Sequence, residues 1–248
     1  MPKIIFLGTN GWYDSETGNT ISILVQTEHY DIVLDAGYGI WKLGQYANGE
    51  KPVYLFISHF HIDHIAGMHT IALNTFSKGL SILIQDGGTE LLNRIIRLPY
   101  TIPLEDLPFE TTILEVPRRR EDLPFKAEFL PMLHPVFTLG VRLEVDDKVI
   151  TYCPDTGYCG NALKLALNAD LLIADCAYKP NEVDVAWPHL NPEMAARIAN
   201  EANVKKLALT HFDAKRYETI RHRQEAENKA KETFENSYLT TDGMILEL

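Results

Sequence analysis

The segment Ser58-His59-Phe60-His61-Ile62-Asp63-His64 places three imidazoles and a carboxylate within six residues, in a chain with only nine histidines. Nitrogen and oxygen donors of this kind are the ones selected by zinc and related divalent ions. A lone histidine in such a place is more often a core or surface residue. Four donors in one short run are harder to explain as scaffold, because converging imidazoles without an ion lose hydrogen-bond partners and repel one another when protonated.

The run emerges directly from Val53-Tyr54-Leu55-Phe56-Ile57, a continuous apolar stretch of the sort expected for a strand covered on both faces. Six residues cannot complete two coordination spheres, so further donors must come from other strand ends. His134 follows the strand-like Ala127–Met132, Asp155 follows Lys148–Tyr152, and His211 follows Leu207–Thr210. Open α/β architectures place their ligands at such carboxyl ends. Strands are also predicted at Ile4–Leu7, Thr20–Gln26, Asp31–Leu34, Leu80–Ile84, Thr138–Val145, Leu171–Ala174 and Gly243–Leu246. Helical patterns fall at Ile65–Ser77, Thr89–Ile96, Asn161–Asn168, Pro192–Ala202 and Tyr217–Phe234. Asn191 before Pro192 reads as a cap and first helical position. The proline-studded stretch from Pro99 to Pro124 reads as a long, partly structured excursion, either one wall of a substrate cleft or a tolerated loop.

A length of 248 residues with 46% hydrophobic content fits one domain spanning 1–248, and no repeat or composition shift marks a second. No basic–apolar leader and no long apolar run is present, so the cytoplasm is the expected location and no membrane partner is expected. Cys153, Cys159 and Cys176 are odd in number and contain no CxxC pair, which suits small buried residues rather than a disulfide framework. The net charge of −11 disfavours a general polyanion-binding surface. Arg118-Arg119-Arg120 is followed by Glu121 and Asp122 and reads as a solvated loop. His29, His69 and His222 stand apart from other donors and receive no role.

The elements FLGTNG, LDAG around Asp35, SHFHIDHIAG, HPVFTLGVRLE, PDTG at Asp155 and LALTHF at His211 together resemble the metallo-β-lactamase superfamily, and within it the ribonuclease Z-like phosphodiesterase branch. The resemblance covers nearly the whole chain. It implies an α/β fold, the four-layer αββα metallo-β-lactamase sandwich, with metals at one edge. It further implies that His59, His61 and His134 hold a first ion, that Asp63, His64 and His211 hold a second, and that Asp155 bridges them. The cofactors would be two divalent ions, zinc ahead of manganese or iron. Asp35 is expected to be a buried residue that orients a ligand or holds a turn. A histidine in the stretch matching Trp187-Pro188-His189-Leu190 assists the leaving group in ribonuclease Z-like enzymes, which makes His189 the candidate general acid, although its flanks depart from the HST-like or HEAT-like pattern. Asp63 counts as catalytic as well as metal-binding.

Two divalent ions, the carboxylates of Asp63 and Asp155 and a bridging hydroxide leave a local charge of about +1, enough to attract an anionic diester to an acidic protein. Metals roughly 3.5–4 Å apart would lower the pKa of the shared water, whose hydroxide attacks phosphorus while His189 protonates the departing oxygen. Hydrolysis of a carboxylic ester, lactone or thioester is the first alternative. Iron-dependent oxidoreduction on the same fold is another, and a catalytically dead interaction module a third, although no ligand is missing. Transfer-RNA-processing members carry a flexible arm between the positions matching His134 and Asp155. Here residues 135–154 suffice only for the strand pair Thr138–Val145 and Lys148–Tyr152 with a turn at Asp146-Asp147. The expected partner is therefore a small-molecule or short single-stranded phosphodiester, without tight binding of folded RNA. A homodimer is left open.

Overall fold

The computed structural model describes residues 1–248. Its first sheet holds β1 (Lys3–Gly8), β2 (Ser22–Gln26), β3 (Asp31–Leu34), β4 (Val53–Phe56), β5 (Leu80–Gln85) and β6 (Thr111–Val116) in that spatial order. The second holds β7 (Lys126–Pro131), β8 (Leu139–Val145), β9 (Lys148–Cys153), β10 (Leu171–Asp175), β11 (Leu207–Thr210) and β12 (Ser237–Leu239), again in order. The last strand, β13 (Ile245–Glu247), returns to pair antiparallel with β1. The strands are apolar on both faces because both faces are covered. Along β1, Ile4 and Phe6 point into a cluster shared by the two sheets, while Ile5 and Leu7 point outward into a second cluster. The second sheet repeats the division, with Ile150 and Tyr152 inside and Cys153 outside. Helix α2 (Gly88–Ile95) and short helical turns cover the first sheet; α3 (Gly160–Ala166), α4 (Pro192–Glu201) and α5 (Ile220–Lys231) cover the second. The result is the expected four-layer αββα sandwich. No helix is long and apolar enough to cross a membrane.

Asn191 caps α4 as expected, its side chain accepting a hydrogen bond from the Met194 N–H at 2.9 Å, with Pro192 at the first position. The β8–β9 hairpin closes on Asp146 and Asp147, whose φ angles of +48° and +59° are those of a two-residue hairpin turn in which Asp is tolerated.

Three expectations need correction. The helix predicted over Ile65–Ser77 is instead a single turn, α1 (Ile62–Ile65), followed by 3₁₀ turns over Ala66–Leu73. The reason is tertiary: Ala36 N–H donates to the His64 carbonyl and Gly67 N–H donates to the Ala36 carbonyl, each at 2.8 Å, diverting the groups an α-helical ladder would use. Gly67 permits this approach, since a Cβ there would fall 2.2 Å from the Gly37 carbonyl oxygen. The proline-rich excursion contains an unforeseen edge strand, β6, parallel to β5, and none of its residues lines the cleft described below. The short strand β12 was likewise unforeseen. Arg118, Arg119 and Arg120 are taken up by ion pairs with Glu115, Asp122 and Glu121 on the surface. All three cysteines are free; Cys153 and Cys176 are buried and Cys159 is half-buried.

Candidate metal centre

The loops following β4, β7, β9 and β11 meet at one edge of the sandwich and bring the seven expected side chains together. Ligand-type atoms of His59, His61, His134 and Asp155 lie within 4.8 Å of one another, as do those of Asp63, His64 and His211. Asp155 stands between the two groups. Its Oδ2 is 3.7 Å from both His59 Nε2 and His134 Nε2, while its Oδ1 is 3.1 Å from His64 Nε2 and 3.2 Å from His211 Nε2. His211 Nε2 also lies 3.3 Å from Asp63 Oδ2. Gly11 allows this packing, because a Cβ there would sit 2.6 Å from the His211 ring.

Behind the centre, acceptors fix the imidazole tautomers. Asp35, fully buried, accepts from His64 Nδ1 at 2.8 Å, the Tyr152 hydroxyl at 2.7 Å and the Ser58 hydroxyl at 2.8 Å. With its proton given to Asp35, the Ser58 oxygen accepts from His59 Nδ1 at 3.0 Å. His134 Nδ1 donates to the Pro188 carbonyl at 3.3 Å, and His211 Nδ1 lies 3.2 Å from Asp175 Oδ1. Each of these four rings therefore turns its Nε2 toward the centre, the orientation used in metal-bound histidines.

Such an arrangement is costly without a cation. His59 Nε2, His134 Nε2 and Asp155 Oδ1 are buried with no hydrogen-bond partner, and the Nε2 atoms of His64 and His211 face each other at 3.1 Å. Unpartnered buried acceptors of this sort are ordinarily a few in a whole protein. Their concentration on one point fits a divalent ion, whose ligand atoms at about 2.0–2.2 Å would draw the same donors together. The residues thus fit the group their chemistry implies.

The electrostatics divide the centre. Burial, with the repulsion of neighbouring imidazoles, pushes the pKa of His59 well down, and burial also lowers His61 and His134. Burial acts the same way on His64 but is outweighed by Asp155, Asp35 and Asp63, which raise it to about 10. His211 is likewise raised against its burial, by Asp155, Asp175 and Asp63. Asp63 is held below the usual carboxylate range by His64 and His211 despite burial.

His189 is buried beside this group, with its Nδ1 2.8 Å from Asp175 Oδ2 and a ligand-type atom within 4.8 Å of those of Asp155 and His211. Burial lowers its pKa, but Asp175 more than compensates and raises it. Asp175 is the main residue that sequence reasoning missed. It ends β10, one position beyond the predicted strand Leu171–Ala174, so the strand-end rule that found His134, Asp155 and His211 pointed to it as well. Its carboxylate accepts from Thr156, Ala177 and Leu190 N–H groups as well as from His189 and His211. Two aromatics were missed too. The Trp187 ring stacks on His61 at 5.7 Å with only 7° between planes, and the Trp12 N–H donates to Asp63 Oδ2 at 2.7 Å. Trp12, Asp35 and His211 all have φ near +60° to +70°, a region that non-glycine residues rarely occupy and that clusters at functional sites. A cleft of about 530 Å³ opens over the centre between Trp12 on one side and Tyr178, Trp187 and Arg216 on the other.

Two apolar sheets ending in a His/Asp cluster under an open cleft define a metal-dependent hydrolase of the metallo-β-lactamase fold. The chain belongs to the family described as Beta-lactamase superfamily domain, which matches residues 30–212. It is 26% identical over 216 residues to the probable metallo-hydrolase YhfI of Bacillus subtilis, covering 85% of this chain and 86% of that one. It is 28% identical to ribonuclease Z of Archaeoglobus fulgidus over an alignment of 306 residues, covering 99% and 97%. That alignment exceeds the 248 residues of this chain, so stretches of the relative have no counterpart here. Among solved structures, YhfI superposes with a TM-score of 0.81 at 25% identity over 100% and 99% of the two chains. The short form of human tRNase Z superposes with a TM-score of 0.75 at 24% identity over 99% and 98%, a likeness of fold.

Proposed function

We propose that this protein is a dinuclear phosphodiesterase acting on a small or short single-stranded phosphodiester in the cytoplasm, with residues 1–248 acting as one domain. The carrying observation is the placement of Asp155, one oxygen toward His59 and His134 and the other toward His64 and His211. In this reading His59, His61 and His134 hold one divalent ion, Asp63, His64 and His211 the other, and Asp155 serves both, with zinc ahead of manganese or iron. Ions held there would supply Lewis-acid activation of water and stabilisation of the charge that develops on phosphorus oxygens. Ribonuclease Z names phosphodiester chemistry for the relatives, and a diphosphatase of the PhnP family shares the fold with a TM-score of 0.73. The β8–β9 hairpin leaves no length for an RNA-gripping arm between His134 and Asp155, which supports a substrate smaller than folded RNA.

His189 completes the chemistry. Asp175 holds its Nδ1 proton and so leaves Nε2 as the atom that delivers a proton to the departing oxygen, and the same carboxylate favours the charged ring by raising its pKa against burial. Asp175 also braces His211, so one carboxylate sets both a metal-side imidazole and the acid. Elemental analysis of gently purified protein together with turnover of bis(p-nitrophenyl) phosphate tests the reading. About two divalent ions per chain and metal-dependent turnover are expected. Preferential hydrolysis of a lactone or thioester, with no turnover of any diester, would reject it.

A further inference from the structure

The cleft does not end at the metal centre. It continues past Trp12 and Arg216 into a groove lined by Lys179, Glu182 and Lys215. Trp12 stands at the junction. Its backbone is pinned to Asp63 in a left-handed conformation, φ +72°, yet the residue is 62% exposed and its aromatic neighbour is Tyr13, edge-on at 5.5 Å. An indole held out to solvent by a strained backbone gains little inside the chain. A planar group stacked on its free face would account for the arrangement.

Beyond it, Arg216 is committed to Glu182 and Asp213 and lies over the Tyr178 ring. Lys179 and Lys215, by contrast, form no ion pair, which leaves two free cations beside the groove of a protein whose net charge is −11. The centre accounts for one phosphodiester; these lysines, in the groove that adjoins it through Trp12 and Arg216, fit a second phosphate.

We propose that Trp12, Lys179 and Lys215 form a subsite for a nucleotide adjoining the scissile diester, its base stacked on Trp12 and its outer phosphate set against the two lysines. The inference rests on the phosphodiesterase reading above and makes the substrate a single-stranded oligonucleotide of at least two phosphates rather than an isolated small diester.

The test is equilibrium binding by the metal-loaded protein, read by fluorescence anisotropy, of labelled phosphorothioate tetranucleotides in ribo and deoxy forms against the labelled mononucleotide. A tetranucleotide of either sugar should bind at least about tenfold more tightly than the mononucleotide, the scale of one stacked base. Trp12→Ala should remove most of that advantage and Trp12→Phe should keep part of it. The double variant Lys179→Ala/Lys215→Ala should weaken tetranucleotide binding and flatten its log–log salt dependence by about 0.7, the slope for one single-strand phosphate. Unchanged thermal melting would confirm that each variant is folded. No length advantage in either sugar, or an advantage that survives all three variants, would overturn the subsite. Turnover of bis(p-nitrophenyl) phosphate, which fills the metal centre alone, is followed in parallel. If it proceeds while length has no effect, only the subsite fails. If it is absent while binding depends on length and on Trp12, the phosphodiesterase reading fails and the subsite stands.

Discussion

On one side of the centre His59 and His134 have one carboxylate, Asp155, within 4 Å, with His61 grouped beside them; on the other His64 and His211 lie among four, with Asp63 and Asp155 at Nε2 and Asp35 and Asp175 at Nδ1. Burial dominates the first set and lowers its pKa values; carboxylates dominate the second and raise them. Both sets are built from the same residue types, so what separates them is the environment behind the ring. The neutral set meets an ion with free lone pairs. On the second set the raised pKa values favour protons in their place, which an ion bound there would displace.

Removing the residue common to both sides should have the largest effect. Asp155→Asn keeps the shape but takes away the charge both sets share. Metal content should fall below one ion per chain and bis(p-nitrophenyl) phosphate turnover by more than about 10³-fold, given the several kcal/mol that metal-assisted charge stabilisation supplies. Retention of two ions with near-normal turnover would remove the basis for a shared ligand.

Next in size is His189→Ala, which removes none of the seven ligands, although the ring packs against His134 at 5.1 Å and His211 at 5.7 Å. Metal content should stay near normal, while turnover of an alkyl or nucleoside diester falls by about 10² or more. A p-nitrophenyl diester, whose leaving oxygen needs little proton assistance, should be affected much less. Equal losses on both substrates would make His189 a positioning residue instead.

The ligands of both sets were legible in sequence, and the reason is local. His59, His61, Asp63 and His64 declare themselves by spacing within one loop, and His134, Asp155 and His211 by standing just past apolar runs that do form strands. The strand Asp31–Leu34 and the start of α4 were readable for the same reason, since their signals lie in neighbouring residues. The buttress of the second set was not. Asp175 stands at a strand end, but its role as a support shows only once the fold brings His189 and His211 to its two oxygens, and Trp12 and Trp187 become rim residues only through the path of their loops. The lost helix after Ile65 and the half-exposed strand β6 fail alike, one because Ala36 takes its hydrogen bonds and the other because prolines surround an edge strand with few apolar residues.

Smaller effects separate the two sets by their supports. Asp175→Asn and Asp35→Asn should each weaken metal binding about 10–100-fold, the usual consequence of losing a carboxylate behind a ligating histidine. Ser58→Ala, which removes the acceptor of His59 Nδ1, should cost less, because that ring is neutral already. Competition with a chromophoric chelator measures all three. Equal losses would show that the carboxylates give the second set no distinct role.

The smallest effect is a proton count, and it tests the comparison most directly. In metal-free protein the folded pKa values of His64 and His211 lie above the unfolded value near 6.5. The stability they contribute is therefore complete below about pH 6.5 and is lost as pH rises through the raised values, toward about 10 for His64. The urea midpoint of metal-free protein should decline between pH 7 and 10, whereas metal-loaded protein, whose Nε2 atoms carry no proton, should decline less. Zinc binding at pH 7.5, titrated calorimetrically in buffers of different ionisation enthalpy, should release about three protons per chain, two from the second set and one from the water that becomes hydroxide. His211→Ala should reduce the count, and His134→Ala should leave it unchanged, since burial has already cleared the proton from that ring. A count of about one or less in the unaltered protein, or a count that falls equally in both variants, would mean that the carboxylates do not divide the centre.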